Sequence, residues 1–117
     1  MIRRGFVYLV ANVFRDPKAY RLVLVMTSNA RNQDPRSPTV VAIPLTTRLK
    51  GGIFRVRLRK GVGGIPETSE AACEQIVQVA KTSFVPDAHG RVRPVGRSVD
   101  EATLGAIVAA IVEVVSA

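Results

Sequence analysis

Apolar residues come in short runs along this chain, and their spacing changes towards the C-terminus. Residues 5–11 (GFVYLVA) are few and rich in β-branched and aromatic side chains, which predicts a first strand. Residues 21–27 (RLVLVMT) predict a second, apolar on both alternating faces and therefore central in its sheet. Residues 39–47 (TVVAIPLTT) predict a third. Val41, Ile43 and Leu45 turn to one face, and Pro44, which lacks a ladder donor, marks an edge or a bulge. Residues 53–59 (IFRVRLR) alternate cleanly, with Phe54, Val56 and Leu58 on one side and Arg55, Arg57 and Arg59 on the other. That is the pattern of a half-buried antiparallel strand. Residues 71–79 (AACEQIVQV) predict a fifth strand with the polar pair Glu74-Gln75 in its middle.

After residue 98 the period lengthens. Leu104, Ile107, Val108, Ile111, Val114 and Val115 recur at three and four, the stripe of an amphipathic helix. Ser98-Val99-Asp100-Glu101 predicts its start as a capping box, in which the Ser98 hydroxyl and the Glu101 carboxylate satisfy orphan N–H groups. The connections are polar. Residues 12–20 contain Asp16-Pro17, residues 28–38 (SNARNQDPRSP) predict a long exposed loop, and Gly51-Gly52 and the 61–66 glycines mark turns. Residues 81–97 predict irregular chain holding a brief helical turn and one short strand. Short strands followed by one terminal helix predict a mainly β, α+β domain: a small curved antiparallel sheet or open barrel with a helix packed on it.

Composition narrows the picture. A chain of 117 residues supports one domain, 1–117. Seventeen Lys+Arg against nine Asp+Glu give a net charge of +8, which favours a polyanionic partner. A single cysteine rules out an internal disulfide and a cysteine-based zinc site, and it suits a reducing compartment. No apolar run approaches the ~20 residues of a membrane span, so a cytoplasmic protein is expected.

Candidate chemistry is sparse. His89 lies in a turn-rich segment without recognisable partners and reads as a loop histidine; Cys73 reads as a buried, inert thiol. No His/Asp/Glu cluster has metal-ligand spacing, so neither metal nor cofactor is expected. Residues 48–60 carry Arg48, Lys50, Arg55, Arg57, Arg59 and Lys60 and no acid. Alternate strand residues stand about 6.6 Å apart, so the arginine row suits a phosphate chain. The alternative is a solvated edge strand kept from aggregating by charge, and the net charge tips the balance towards nucleic-acid contact.

The order of RRGFVYLV, an arginine entering RLVLVMTSN, the loop ending in SPTVVAIPLTTRLKG, and the Glu-Gln pair of ACEQIVQV resembles the MazF/PemK-like toxin endoribonucleases over nearly the whole chain. The resemblance implies an SH3-like antiparallel barrel of five to seven strands with a C-terminal helix. It also implies a homodimer and metal-independent, sequence-specific cleavage of single-stranded RNA, neutralised by an acidic antitoxin peptide. By motif position, Arg21 and Thr46 take the catalytic places. Thr47, Arg48, Lys50, Arg55, Arg57, Arg59 and Gln75 are the expected RNA contacts, and Glu74 pairs with Gln75 in a role left open. The chain departs from the family pattern at Leu22, where proline is usual, and in FRDPKAY, which stands in place of a Gly-Ser-Glu-Gln-type loop. The alternative readings are a non-cleaving CcdB-like gyrase poison and a nucleic-acid-binding barrel on the same fold.

Overall fold

The computed structural model describes residues 1–11 and 20–116. Its elements are β1 (Val7–Ala11), β2 (Tyr20–Val25), α1 (Asn29–Gln33), β3 (Thr39–Thr46), β4 (Arg55–Leu58), β5 (Ser69–Ala72), β6 (Val77–Ala80) and α2 (Glu101–Val115). The polar 12–20 connection lies outside the described residues except for Tyr20, which opens β2.

All strand pairs are antiparallel, in the order β1-β2-β3-β5-β4, with β6 also paired to β3. Among the described residues this six-stranded sheet does not close, so the barrel is an open one. Strand β3 organises it. One edge carries β2; the other carries β6 along Thr39 to Ala42 and β5 at Leu45 and Thr46.

The continuous fifth strand expected at 71–79 is therefore two strands, parted by a 3-10 turn at Cys73–Gln75. Pro44 explains the break. The Met26 N–H donates to the Val41 carbonyl at 2.9 Å, which points the backbone of odd-numbered β3 residues at β2 and of even-numbered ones at the opposite edge. Pro44 is even, so its missing N–H falls on the edge shared by β5 and β6, where residues 72–76 bulge past Ile43 and Pro44. Glu74 and Gln75 ride on that bulge, which removes the oddity of a polar pair inside a strand.

Both faces of the sheet are covered. Leu24, Ile43, Leu45, Leu58 and Ala71 pack with Leu104, Ile107 and Ala110 of α2. Tyr8, Val10, Val23, Val25, Val40, Ala42 and Phe84 form a second cluster on the other side. At roughly 1.5–3 kcal/mol per large buried side chain, these two layers are the main source of stability. The 84–99 segment straps the outer edge of β1, with Val85 N–H donating to Leu9 O, Val95 N–H to Val7 O and Val99 N–H to Gly5 O, so that edge is not open to aggregation. The expected helical turn, Lys81–Ser83, precedes this segment, whose strand content is a single bridge from Phe84 to Val10.

Two further expectations are corrected. The 28–38 loop contains a one-turn helix, α1, whose N-cap Ser28 accepts from the Arg31 N–H and whose Asn32 is buried, donating to the Thr27 carbonyl at 2.9 Å. Helix α2 starts later than the proposed capping box: Asp100 is the N-cap and accepts from the Thr103 N–H at 2.7 Å. Ser98 lies before the helix, on the strap that the Val99 N–H ties to the Gly5 carbonyl. On α2 the buried stripe is Leu104, Ile107 and Ala110, whereas Val108 and Val115 stay exposed.

Candidate nucleic-acid interface

A groove of about 650 Å³ opens where β2, β3 and β5 end together. The sequence makes this end polar. Strand β2 begins with Tyr20 and Arg21, β3 ends at Thr46, and the 47–52 loop follows with Arg48 and Lys50.

Strand register brings Arg21 and Thr46 to the same groove. The β2–β3 ladder ends at Val23 and Pro44; Arg21 and Thr46 lie two residues beyond that pair on their own strands, and both line the groove. Thr46 is half-buried, and its hydroxyl oxygen accepts from the Arg48 N–H at 3.2 Å. This is the local side-chain bond by which threonine ends a strand and orients its own hydroxyl. Thr47, Arg48 and Lys50 are exposed on the same wall, and Gln75 reaches the groove from the Cys73–Gln75 turn.

The arginine row is different from its sequence pattern. The Arg55 side chain is only 6% exposed, although it borders the groove. Its Nε donates to both Glu74 oxygens at 2.9 Å, and Nη1 to Glu70 at 3.3 Å. Hydrogen bonding to Glu74, with the charges of both carboxylates, outweighs burial and holds its pKa above even the ordinary arginine value. Arg57 is solvated, with Nη2 3.8 Å from Glu70, and lies outside the groove, as does the exposed Arg59 beyond the end of β4. The three guanidiniums do not form a free line, because acids from β5 and its following turn occupy the first of them.

Glu70 is the residue that the sequence pattern alone does not single out. It is 1% exposed and accepts from the N–H groups of Lys50 (2.9 Å) and Gly51 (3.0 Å) as well as from Arg55. Burial by itself would push its carboxyl up. The two N–H bonds and the Arg55 and Arg57 charges outweigh burial and hold it below the usual carboxylate range. Tyr20 is a second omission: it is 65% exposed on the groove rim. Its signal is an aromatic directly before Arg21. Glu67 also lines the groove.

Among the described residues no group of three His, Cys, Asp or Glu side chains is placed to hold a metal ion. Cys73 is buried, and desolvation, with Glu74 beside it, pushes its thiol up to about 11. The exposed His89 sits in a turn whose N–H groups bond Asp87. The groove thus offers guanidinium, ammonium, hydroxyl and amide groups, a set suited to binding phosphate and stabilising charge.

The family model for PemK-like, MazF-like toxins of type II toxin–antitoxin systems matches residues 3–115. The chain belongs to that family. A sequence comparison with curated proteins finds no match. Among solved structures, a mycobacterial endoribonuclease in complex with its cognate antitoxin superposes with TM-score 0.74 at 23% identity, over 97% of this chain and 94% of that one. The Mycobacterium tuberculosis toxin MazF-mt6 gives 0.72 at 18% identity, over 92% and 93%. A MazE–MazF complex from Deinococcus radiodurans gives 0.72 at 17%, over 98% and 95%. At these identities the likeness shows a shared MazF-like fold. Within it, Leu22, where this MazF-like chain lacks the usual proline, lines the groove and packs on the main core. The altered loop before β2 falls, apart from Tyr20, outside the described residues.

Proposed function

We propose that this MazF-like chain is an endoribonuclease toxin that cuts single-stranded RNA in the groove at the ends of β2, β3 and β5. The carrying observation is that Arg21, the stretch Thr46, Thr47, Arg48 and Lys50, and Gln75, three separate parts of the sequence, line one groove. RNA supplies the nucleophile. The 2′-oxygen bonds to the adjacent phosphorus as the 2′-OH gives its proton to solvent water, the P–O5′ bond breaks, and the departing 5′-oxygen takes a proton from solvent water. Arg21 stabilises the negative charge that builds on the phosphoryl oxygens, a role that suits a group too basic to act as a general base. Thr46 donates its hydroxyl proton to a phosphoryl oxygen while its own oxygen is held by the Arg48 N–H. Arg48 and Lys50 bind neighbouring phosphates, Tyr20 stacks on a base, and Gln75 reads a base edge. Arg57 and Arg59, outside the groove, reach only flanking phosphates. The product carries a 2′,3′-cyclic phosphate, and DNA, without the 2′-OH, is not cut.

A cytoplasmic setting, a homodimer and neutralisation by an acidic antitoxin peptide complete the reading. Antitoxin is present with two of the similar structures, and the +8 charge of this chain complements such a peptide. The test is incubation of the purified protein with long mixed-sequence RNA in EDTA, beside Arg21→Ala, Thr46→Ala and DNA of the same sequence. RNA cut by the wild type alone supports the proposal. Intact RNA removes it in favour of a non-cleaving binder, and cutting that survives both substitutions assigns the activity to a contaminant.

A further inference from the structure

We propose that Glu70 is a positioning residue: its buried carboxylate fixes the loop that presents Arg48 and Lys50 to the groove, without itself touching RNA. This rests on the reading of the groove as the RNA-cutting site.

The geometry is a clamp across one loop. Glu70 is the ladder partner of Thr46, the last residue of β3. The chain leaves the sheet at Thr46 and, four and five residues later, Lys50 and Gly51 return their N–H groups to the side chain of that same Glu70. Thr47 and Arg48 are held between these two attachments. Gly51 makes the return with φ +71°, a backbone conformation that favours glycine, and it has open space around it. The loop contains neither strand nor helix of its own, so the carboxylate supplies the order that a ladder supplies elsewhere.

The clamp also reaches the opposite wall. Arg55 bridges Glu70 to Glu74, and Glu74 immediately precedes Gln75 on the bulge. One buried anion therefore sets the loop bearing the cations and, through Arg55, the turn bearing the amide. It must be an anion, because every group facing it is a donor: two backbone N–H groups and the Arg55 and Arg57 guanidiniums. A neutral amide of the same shape would set its own N–H₂ against donors.

Two views of Glu70 predict opposite results. If it only masks positive charge, Glu70→Gln makes the groove more cationic and RNA handling improves. If it positions the loop, cutting slows although the protein is more cationic. The experiment uses the full chain, with wild type, Glu70→Gln and Gly51→Ala assayed on mixed-sequence RNA in EDTA well below each melting temperature. Amide hydrogen exchange is read at Lys50 and Gly51 and, for comparison, in the β1–β2 ladder. The Gly51 variant strains the same loop without disturbing the buried charge, so it decides the matter if Glu70→Gln does not fold. For both variants we expect kcat/KM to fall roughly 10- to 100-fold, the cost of misplacing groups by about an ångström. The loss lies in kcat with KM equal or lower, and Lys50 and Gly51 lose protection while the β1–β2 ladder keeps its own. Wild-type cutting rates in both variants, or no wild-type protection at Lys50 and Gly51, overturns the inference. If the wild type cuts no RNA, the nuclease reading falls, and the exchange data still decide whether Glu70 orders the loop.

Discussion

Replacing Thr46 by valine separates stability from catalysis at the groove. Valine keeps the β-branched shape at the end of β3 and removes only the hydroxyl. In the folded protein that hydroxyl oxygen accepts one neutral bond from the exposed Arg48 N–H at 3.2 Å. Such a bond contributes about 0.5–1.5 kcal/mol, and solvent can take over the freed N–H, so the low end applies. At about 4–8 °C per kcal/mol for a domain near this size, Tm should drop by only a few degrees. Losing a donor to the charge developing on a phosphoryl oxygen costs about 2.7–4 kcal/mol, or 10²- to 10³-fold in rate. Thr46→Val should therefore melt close to the wild type yet cut RNA at least about 100-fold more slowly, and Thr46→Ser should recover most of the rate. Initial rates on mixed-sequence RNA in EDTA, with melting followed by circular dichroism, give both quantities. Since Arg21 and Thr46 would act on one phosphate, Arg21→Ala with Thr46→Val should lose less than the product of the single effects. A Thr46→Val enzyme within threefold of wild type, or a Thr46→Ser enzyme as slow as the valine variant, refutes the role given to the hydroxyl.

Other perturbations probe the surroundings. Arg48→Ala and Lys50→Ala should each reduce the slope of log K for RNA binding against log salt by about 0.7. Arg55→Ala should leave the slope nearly unchanged and lower Tm, because that side chain is buried between Glu70 and Glu74; an equal slope change would return Arg55 to the RNA contacts. Glu70, Asp34, Asp87 and Asp100 are all held below their ordinary pKa values in the folded state. Their contribution is present above the unfolded pKa and is lost as pH falls, so the urea midpoint should drop from about pH 5 downward, and less steeply in Glu70→Gln. Cys73, with its thiol pushed up to about 11, should resist a thiol-specific disulfide reagent at pH 8 until denaturant is added; rapid labelling of the native protein would contradict its burial. A Cβ on Gly96 would lie 2.6 Å from the Gly64 Cα and 2.8 Å from the Gly63 carbonyl oxygen. Gly96→Ala should thus cost about 2 kcal/mol or more and lower Tm by about 10 °C or more, and an unchanged melt would show that the strap can shift freely there.

The fold is legible in the sequence where its cause is local. Period-two apolar runs mark the strands and the 3.6-residue stripe marks α2, because burial of one face leaves its spacing in the chain. The features that escape such reading have causes elsewhere in space. The split of 71–79 into β5 and β6 follows from an absent N–H on Pro44 of the neighbouring strand. The late start of α2 goes with a long-range bond from Val99 to Gly5 just before it. Ser98 and Asp100 are both good caps by residue type, and local sequence alone does not choose between them.

The same division holds at the groove. Arg21 and Thr46 are legible as a pair by family resemblance, and the β2–β3 register gives the physical reason they reach one groove. The arginine row misleads because alternation reports which way a side chain points and says nothing about what waits there. Arg55 is 15 residues from Glu70 and 19 from Glu74, too far for any helix or turn rule. A usable signal does exist in SEAA: a carboxylate among small residues on a strand, with an arginine-rich strand before it. A lone buried acid must find positive partners, and antiparallel pairing of these two strands sets Glu70 opposite Arg57. The acid's need for partners therefore outranks the row's count of charges, and it ties Arg55 into ion pairs at the border of the groove.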